Sequence, residues 1–147
     1  MTMNETILRF GYPATLVAAY RHWIVLLRPD QPTLGSLVLA ATGEARAFGE
    51  LPPEAFAELG TVVAHIETAL REAVGYEKIN YLMLMMVDPH VHWHVIPRYE
   101  DVREAAGVAV ADAGWPKVPQ FAEAVKLSPV QVAALGEWLR SKWPIAG

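Results

Sequence analysis

Apolar residues recur along the chain with two different periods, and the changes of period mark the elements. Residues 14–20 (ATLVAAY) and 23–28 (WIVLLR) are short β-prone runs on either side of Arg21-His22, a pattern that predicts a hairpin. The proline-broken stretch 29–34 (PDQPTL) predicts a loop, and Gly35 to Ala41 a third strand. Pro52-Pro53 then opens the clearest helix, since proline is tolerated in a first turn. Phe56, Leu59, Val63, Ile66, Leu70 and Val74 fall three or four residues apart, and Glu58, Thr61, His65, Thr68 and Glu72 follow the same period on another face. Gly75 is a natural stop. Asn80 to Val87 (NYLMLMMV) is apolar on both faces and predicts a central strand covered on both sides. After the turn signal Asp88-Pro89, Val91 to Tyr99 (VHWHVIPRY) predicts the strand beside it. Residues 100–127 hold no sustained period and contain the break Gly114-Trp115-Pro116, which predicts an irregular, surface-hugging segment. Ser128-Pro129-Val130-Gln131 reads as a capping box before a closing helix at about 129–140.

Composition narrows the class. A chain of 147 residues suits one domain. Lys and Arg number 12 against 16 Asp and Glu, a formal charge of −4, which argues against a surface built for a nucleic-acid backbone. Hydrophobic residues make up 53% and charged ones 19%, the reverse of a disordered chain. With no cysteine, a disulfide framework and thiolate chemistry are excluded. The first ten residues place Asn4, Glu5 and Arg9 where a secretory signal needs an apolar core. The longest apolar run, Tyr81 to Val87, is far short of the ~20 residues that cross a bilayer. The expectation is a soluble cytoplasmic protein with neither nucleic acid nor membrane as partner.

His90, His92 and His94 stand at strict period two. Alternate strand residues point to one face, roughly 6.6–6.8 Å apart. All three imidazoles are therefore expected on one side, continued by Ile96 and Arg98, with Val91, Trp93 and Val95 on the core side. A single strand histidine is usually a satisfied or merely exposed residue; three in register backed by an apolar face point to chemistry. One chemistry is a metal site, because neutral imidazole is a common zinc ligand. Further ligands would have to come from elsewhere, and no carboxylate stands in a recognisable spacing with the row. The other is attack on phosphorus, because an imidazole with an ordinary pKa of ~6.5 is largely unprotonated near neutrality. Its neighbours would donate hydrogen bonds to phosphoryl oxygens and protonate the departing group. The middle residue, His92, has a helper on either side. His65, on the polar face of the helix, and His22, in the predicted turn, read as solvated. Arg28 and Arg98 could hold phosphate through paired donors. Trp115 reads as a packing or dimer contact rather than a base-stacking platform, and Met83, Met85 and Met86 as core filling.

The run His90-Val91-His92-Trp93-His94-Val95-Ile96 resembles the signature of the histidine triad (HIT) family, and Pro97-Arg98-Tyr99 is similar to its fragile-histidine-triad branch. The resemblance extends upstream through Arg9-Phe10-Gly11, the hairpin, Gly35 and the long helix, covering about residues 7–99. It implies an α+β fold: a single HIT-like domain with an antiparallel β-sheet, a long helix packed on it and a C-terminal helix, usually as a homodimer. It also implies nucleotidyl transfer or hydrolysis at the α-phosphate of a nucleotide conjugate, without a required metal or other cofactor. Carried onto this chain, His92 is the nucleophile that forms a nucleotidyl-histidine intermediate. His94 and His90 position phosphate oxygens and help the leaving group depart, and a backbone carbonyl holds the other nitrogen of His92. The implied substrates are a purine nucleoside phosphoramidate, an adenylylated conjugate or a dinucleoside polyphosphate.

The chain departs from the family pattern at three places. The Gly-Gln pair that often precedes the triad is replaced by Met85-Met86-Val87-Asp88-Pro89. Ser36 stands where a further His often follows the turn before the third strand, and Arg28 where an acidic residue or Asn often contacts ribose. Arg28, Ser36 and Arg98 are the expected substrate-binding set. The alternative is a non-catalytic nucleotide- or metal-binding protein that retains the three-histidine strand.

Overall fold

The computed structural model describes residues 3–144. In chain order the elements are α1 (Glu5–Arg9), β1 (Leu16–Ala19), β2 (Trp23–Leu27), β3 (Asp30–Gln31), β4 (Leu37–Ala41), α2 (Pro53–Val74), β5 (Lys78–Leu82), β6 (His92–Arg98), β7 (Arg103–Ala105), β8 (Val108–Val110), β9 (Val125–Lys126) and α3 (Pro129–Lys142). Short 3₁₀ turns lie at Phe48–Glu50 and Phe121–Glu123. Five strands form an antiparallel sheet in the order β1-β2-β4-β6-β5. The hairpin, the long helix and the capped C-terminal helix all form where the sequence places them. Ser128 accepts from the Gln131 amide while the Gln131 side chain accepts from the Ser128 amide, closing the capping box.

The two faces of the sheet are buried differently. One carries Trp23, Val25, Leu37, Leu39 and Val95 against Val62, Ile66 and Leu70 of α2 and Leu135 and Leu139 of α3. Gly35 makes this packing close: its φ is +90°, and a Cβ there would lie 2.8 Å from Val74. The other face carries Ile24, Leu26, Val38 and Ala40, covered by Ile7 of α1 with Met3, Phe10 and Tyr12 around it. Register then decides where the histidines go. His92 pairs with Ala40 and His94 with Val38, and directly paired residues share a face. The histidine side of β6 thus adjoins the patch that α1 covers.

The expected central strand at Asn80–Val87 is instead an edge strand, β5, ending at Leu82. Beyond it the chain leaves the ladder through Met85, at φ +53°, and Met86 and Val87 are 85% and 80% exposed. A run apolar on both faces does not distinguish a central strand from an edge strand followed by an exposed apolar loop. Within the segment expected to be irregular, β7 and β8 form a hairpin and β9 pairs with β3. Tyr99 fastens this segment to the domain, its hydroxyl accepting from the Leu34 amide and donating to the Val110 carbonyl, both at 2.7 Å. No helix among the described residues is long and apolar enough to cross a membrane.

Candidate active site

The site is built where α1 ends against β6. Asn4 caps α1 by accepting from the Ile7 amide, and its amide group donates to the carbonyls of Ala41 and Gly43, each at 2.9 Å. This anchors the helix beside the end of β4 and sets Phe10 against both central histidines, 5.7 Å from the His92 ring and 5.8 Å from that of His94. The two imidazoles are 5.2 Å apart and nearly perpendicular, and both are buried. They line up as period two predicts.

The ring of His90 does not join that row, because β6 begins only at His92. It turns toward α1 and the loop after β4. There Nδ1 meets Thr6 Oγ1 at 3.0 Å and Nε2 meets Glu44 Oε2 at 3.2 Å, while the His90 amide donates to Thr6 Oγ1. What His90 gives the site is its backbone: its carbonyl accepts from His92 Nδ1 at 2.7 Å. A carbonyl can only accept, so Nδ1 of His92 carries a proton, and in the neutral ring Nε2 carries the lone pair. His94 sits 3.3 Å from Arg28 Nε through its Nδ1. Burial, then Arg28 and His92, lower its pKa to about 4, against the opposing charge of Asp88. His94 is therefore neutral at pH 7.

A family model described as the HIT domain matches residues 18–101, more than half of the chain. The chain belongs to the HIT-domain family. Its fold is that of solved HIT proteins. One from Sinorhizobium meliloti 1021 is 23% identical, with 96% of each chain covered and a TM-score of 0.73. A zinc-bound histidine triad family protein from Mycobacterium smegmatis is 19% identical, covering 92% of this chain and 88% of that one, at 0.61. The diadenosine triphosphate hydrolase of Plasmodium falciparum, solved with cyclomarin A, is 10% identical, covering 88% and 76%, at 0.64. A comparison with curated proteins gives no match.

Of the expected substrate-binding residues, this HIT domain brings only Arg28 to the histidines. Its guanidinium carbon lies 5.0 Å from the centre of the Phe121 ring, and Nη1 donates to the Asp30 carbonyl at 2.8 Å. Ser36 is fully buried in the turn before β4, donating to the Thr33 carbonyl at 2.8 Å. Arg98 lies four residues along β6 from His94, roughly 13 Å away at ordinary strand rise. Its guanidinium is committed to Asp112, to Asn80 Oδ1 and to the Lys117 carbonyl. Ser36 and Arg98 are thus spent on the fold, because each found buried partners that a one-dimensional pattern does not show.

Other expectations shift as well. His65 is bonded rather than solvated: its Nδ1 lies 2.9 Å from the Tyr20 hydroxyl. The His22 amide donates to Glu58 at 2.7 Å, in the turn where the residue was expected. Trp115 lines a groove with Asn80, Tyr81 and Arg98, away from the histidines, and Met86 is exposed rather than core. Sequence reasoning missed Thr6 and Glu44, which hold His90, and Phe10 and Phe121, which wall the two central rings. Among the described residues no three His, Asp or Glu side chains converge to hold a metal ion.

Proposed function

We propose that this HIT domain is a nucleotide hydrolase or transferase that acts at the α-phosphate of a nucleotide conjugate, a nucleoside phosphoramidate or a dinucleoside polyphosphate, through a nucleotidyl-histidine on His92. The observation that carries the reading is the hydrogen bond from His92 Nδ1 to the His90 carbonyl, which leaves the Nε2 lone pair free beside a neutral His94. In the first step Nε2 of His92 forms a bond to phosphorus. The bond to the leaving group breaks, and that group departs with its electron pair and takes a proton from water. In the second step water attacks phosphorus, the P–N bond breaks and returns its pair to Nε2, and the water proton passes to solvent. His94 would bind a phosphoryl oxygen meanwhile, and His90 contributes through its carbonyl. The likeness of the fold to that of the Plasmodium diadenosine triphosphate hydrolase supports the substrate class. The test is AMP release from adenosine phosphoramidate and from a diadenosine polyphosphate by the protein and by His92→Ala, which should retain the fold and lose release.

The commitment of Ser36 and Arg98 to the fold thins the nucleotide-holding surround and favours one second reading, a nucleotide-binding protein without turnover. Nucleotide binding with no His92-dependent release would select it. We further infer a homodimer. The unpaired edge of β5, the apolar hollow lined by Leu39, Leu59, Val63, Tyr81 and Trp93, and the exposed Phe48, Phe56 and Met86 fit a second copy of the chain.

A further inference from the structure

Two neighbouring imidazoles in one site are useful for phosphoryl chemistry only if they do different things. One must offer a lone pair and the other an N–H, and each neutral ring has one of each. The His90 carbonyl decides the matter for His92. For His94 the deciding neighbour is a side chain.

We propose that Arg28 is a positioning residue that fixes the proton of His94 on Nε2, so that His92 offers phosphorus a lone pair and His94 offers its oxygens an N–H. Arg28 Nε lies 3.3 Å from His94 Nδ1. A guanidinium has no lone pair to offer, so in this contact it can only donate and Nδ1 can only accept. The neutral ring then carries its proton on Nε2, the reverse of His92. The guanidinium is itself held in place: Nη1 donates to the Asp30 carbonyl at 2.8 Å, and Phe121 stacks beneath it while also meeting the His94 ring at 5.8 Å. Among the described residues no carboxylate comes within ion-pair distance of Arg28; the carboxylate whose charge acts on it is that of Asp30, whose backbone carbonyl also accepts from Nη1, so Asp30 holds Nη1 while Nε keeps its contact with the imidazole.

Charge works in the same direction. The groups facing His94 are Arg28 from the end of β2, His92 on β6 and Asp88 on the segment after β5, with Phe10 and Phe121 supplying apolar walls. Burial and the first two oppose protonation, and only Asp88 favours it. Near neutrality the ring cannot give up a proton as an imidazolium would. As a neutral N–H it donates a hydrogen bond to a non-bridging phosphoryl oxygen, where negative charge grows during attack. This assignment rests on His92 as nucleophile for its purpose, but not for its geometry.

The test is imidazole ¹⁵N NMR of the full chain, with pH profiles of turnover, for the protein, Arg28→Met and Arg28→Lys. In the parent protein His94 should show the Nε2–H form and remain neutral through mildly acidic pH. In Arg28→Met the two tautomers should mix, the titration midpoint of His94 and the acid limb of kcat should both move upward, and kcat should fall about tenfold. Arg28→Lys, which keeps a cationic donor, should restore part of each. Unchanged tautomer and titration in Arg28→Met, with amide spectra showing the native fold, would overturn the proposal. So would a rise in KM alone with kcat unaltered, which would make Arg28 only a grip on substrate. Because tautomer and titration are read without substrate, the proposal can fail while His92-dependent turnover stands, and the reverse.

Discussion

Replacing Arg98 with leucine removes a buried cation whose partners are all internal. The Asp112 carboxylate accepts from Arg98 Nε at 2.7 Å and from Nη2 at 3.1 Å, and both side chains are almost wholly shielded from water. Asp112 also accepts from the amides of Tyr99 and Gly114, so the arginine and aspartate together tie the end of β6 to the segment after β8. Removing one member of a buried pair strands the other charge and typically costs about 3–5 kcal/mol. The freed Asn80 Oδ1 and Lys117 carbonyl add to that loss. For a domain of this size such a change lowers Tm by roughly 10 °C. Urea denaturation followed by circular dichroism gives the number, and the cycle with Asp112→Leu tests its origin. The double variant Arg98→Leu/Asp112→Leu should recover part of the loss, since no unpaired charge remains although the Tyr99 and Gly114 amides lose their acceptor. An Arg98→Leu protein with native stability and a raised KM would rule out the structural role and return Arg98 to the substrate site.

The remaining expectations concern pH and assembly. His94 titrates at about 4 when folded and near 6.5 when its surroundings are removed, so between those values the unfolded chain binds a proton that the folded chain does not. The contribution of His94 to stability is therefore complete above about 6.5 and is lost as pH falls toward 4; Tm measured across that range should show this slope, and His94→Phe should lack it. Light scattering should give a dimer mass for the protein and a monomer mass for Phe56→Glu combined with Met86→Asp; a monomeric parent protein would contradict the second-copy reading of the exposed apolar face.

The sequence carried the central pair of histidines almost completely. Period two set His92 and His94 on one side, and the apolar residues Val91, Trp93 and Val95 named the other. It could not carry the ring of His90, because the strand begins two residues later and the backbone turn there is made by contacts with Thr6 and Glu44 from distant segments. The helix α1 has only five residues, too few to show a period, although Asn4 is a fitting cap. Phe121 had no local signal. It reaches Arg28 and His94 because a two-residue pairing of β3 with β9 and the bond from the Leu127 amide to the Pro29 carbonyl fold the late segment back over β2. Arg98 and Ser36 shared the opposite fate: Arg98, beside the triad, is absorbed by Asp112, whose proximity only the fold creates, and Ser36, expected from the family pattern, by Thr33 within its own turn.

The most direct measurement is to mix the protein with adenosine phosphoramidate, quench in alkali during turnover, and map any AMP adduct by peptide mass spectrometry. An adduct on His92, absent from His92→Ala, is the expected result. An adduct on His94, or steady AMP release that survives His92→Ala, would contradict His92 as the nucleophile.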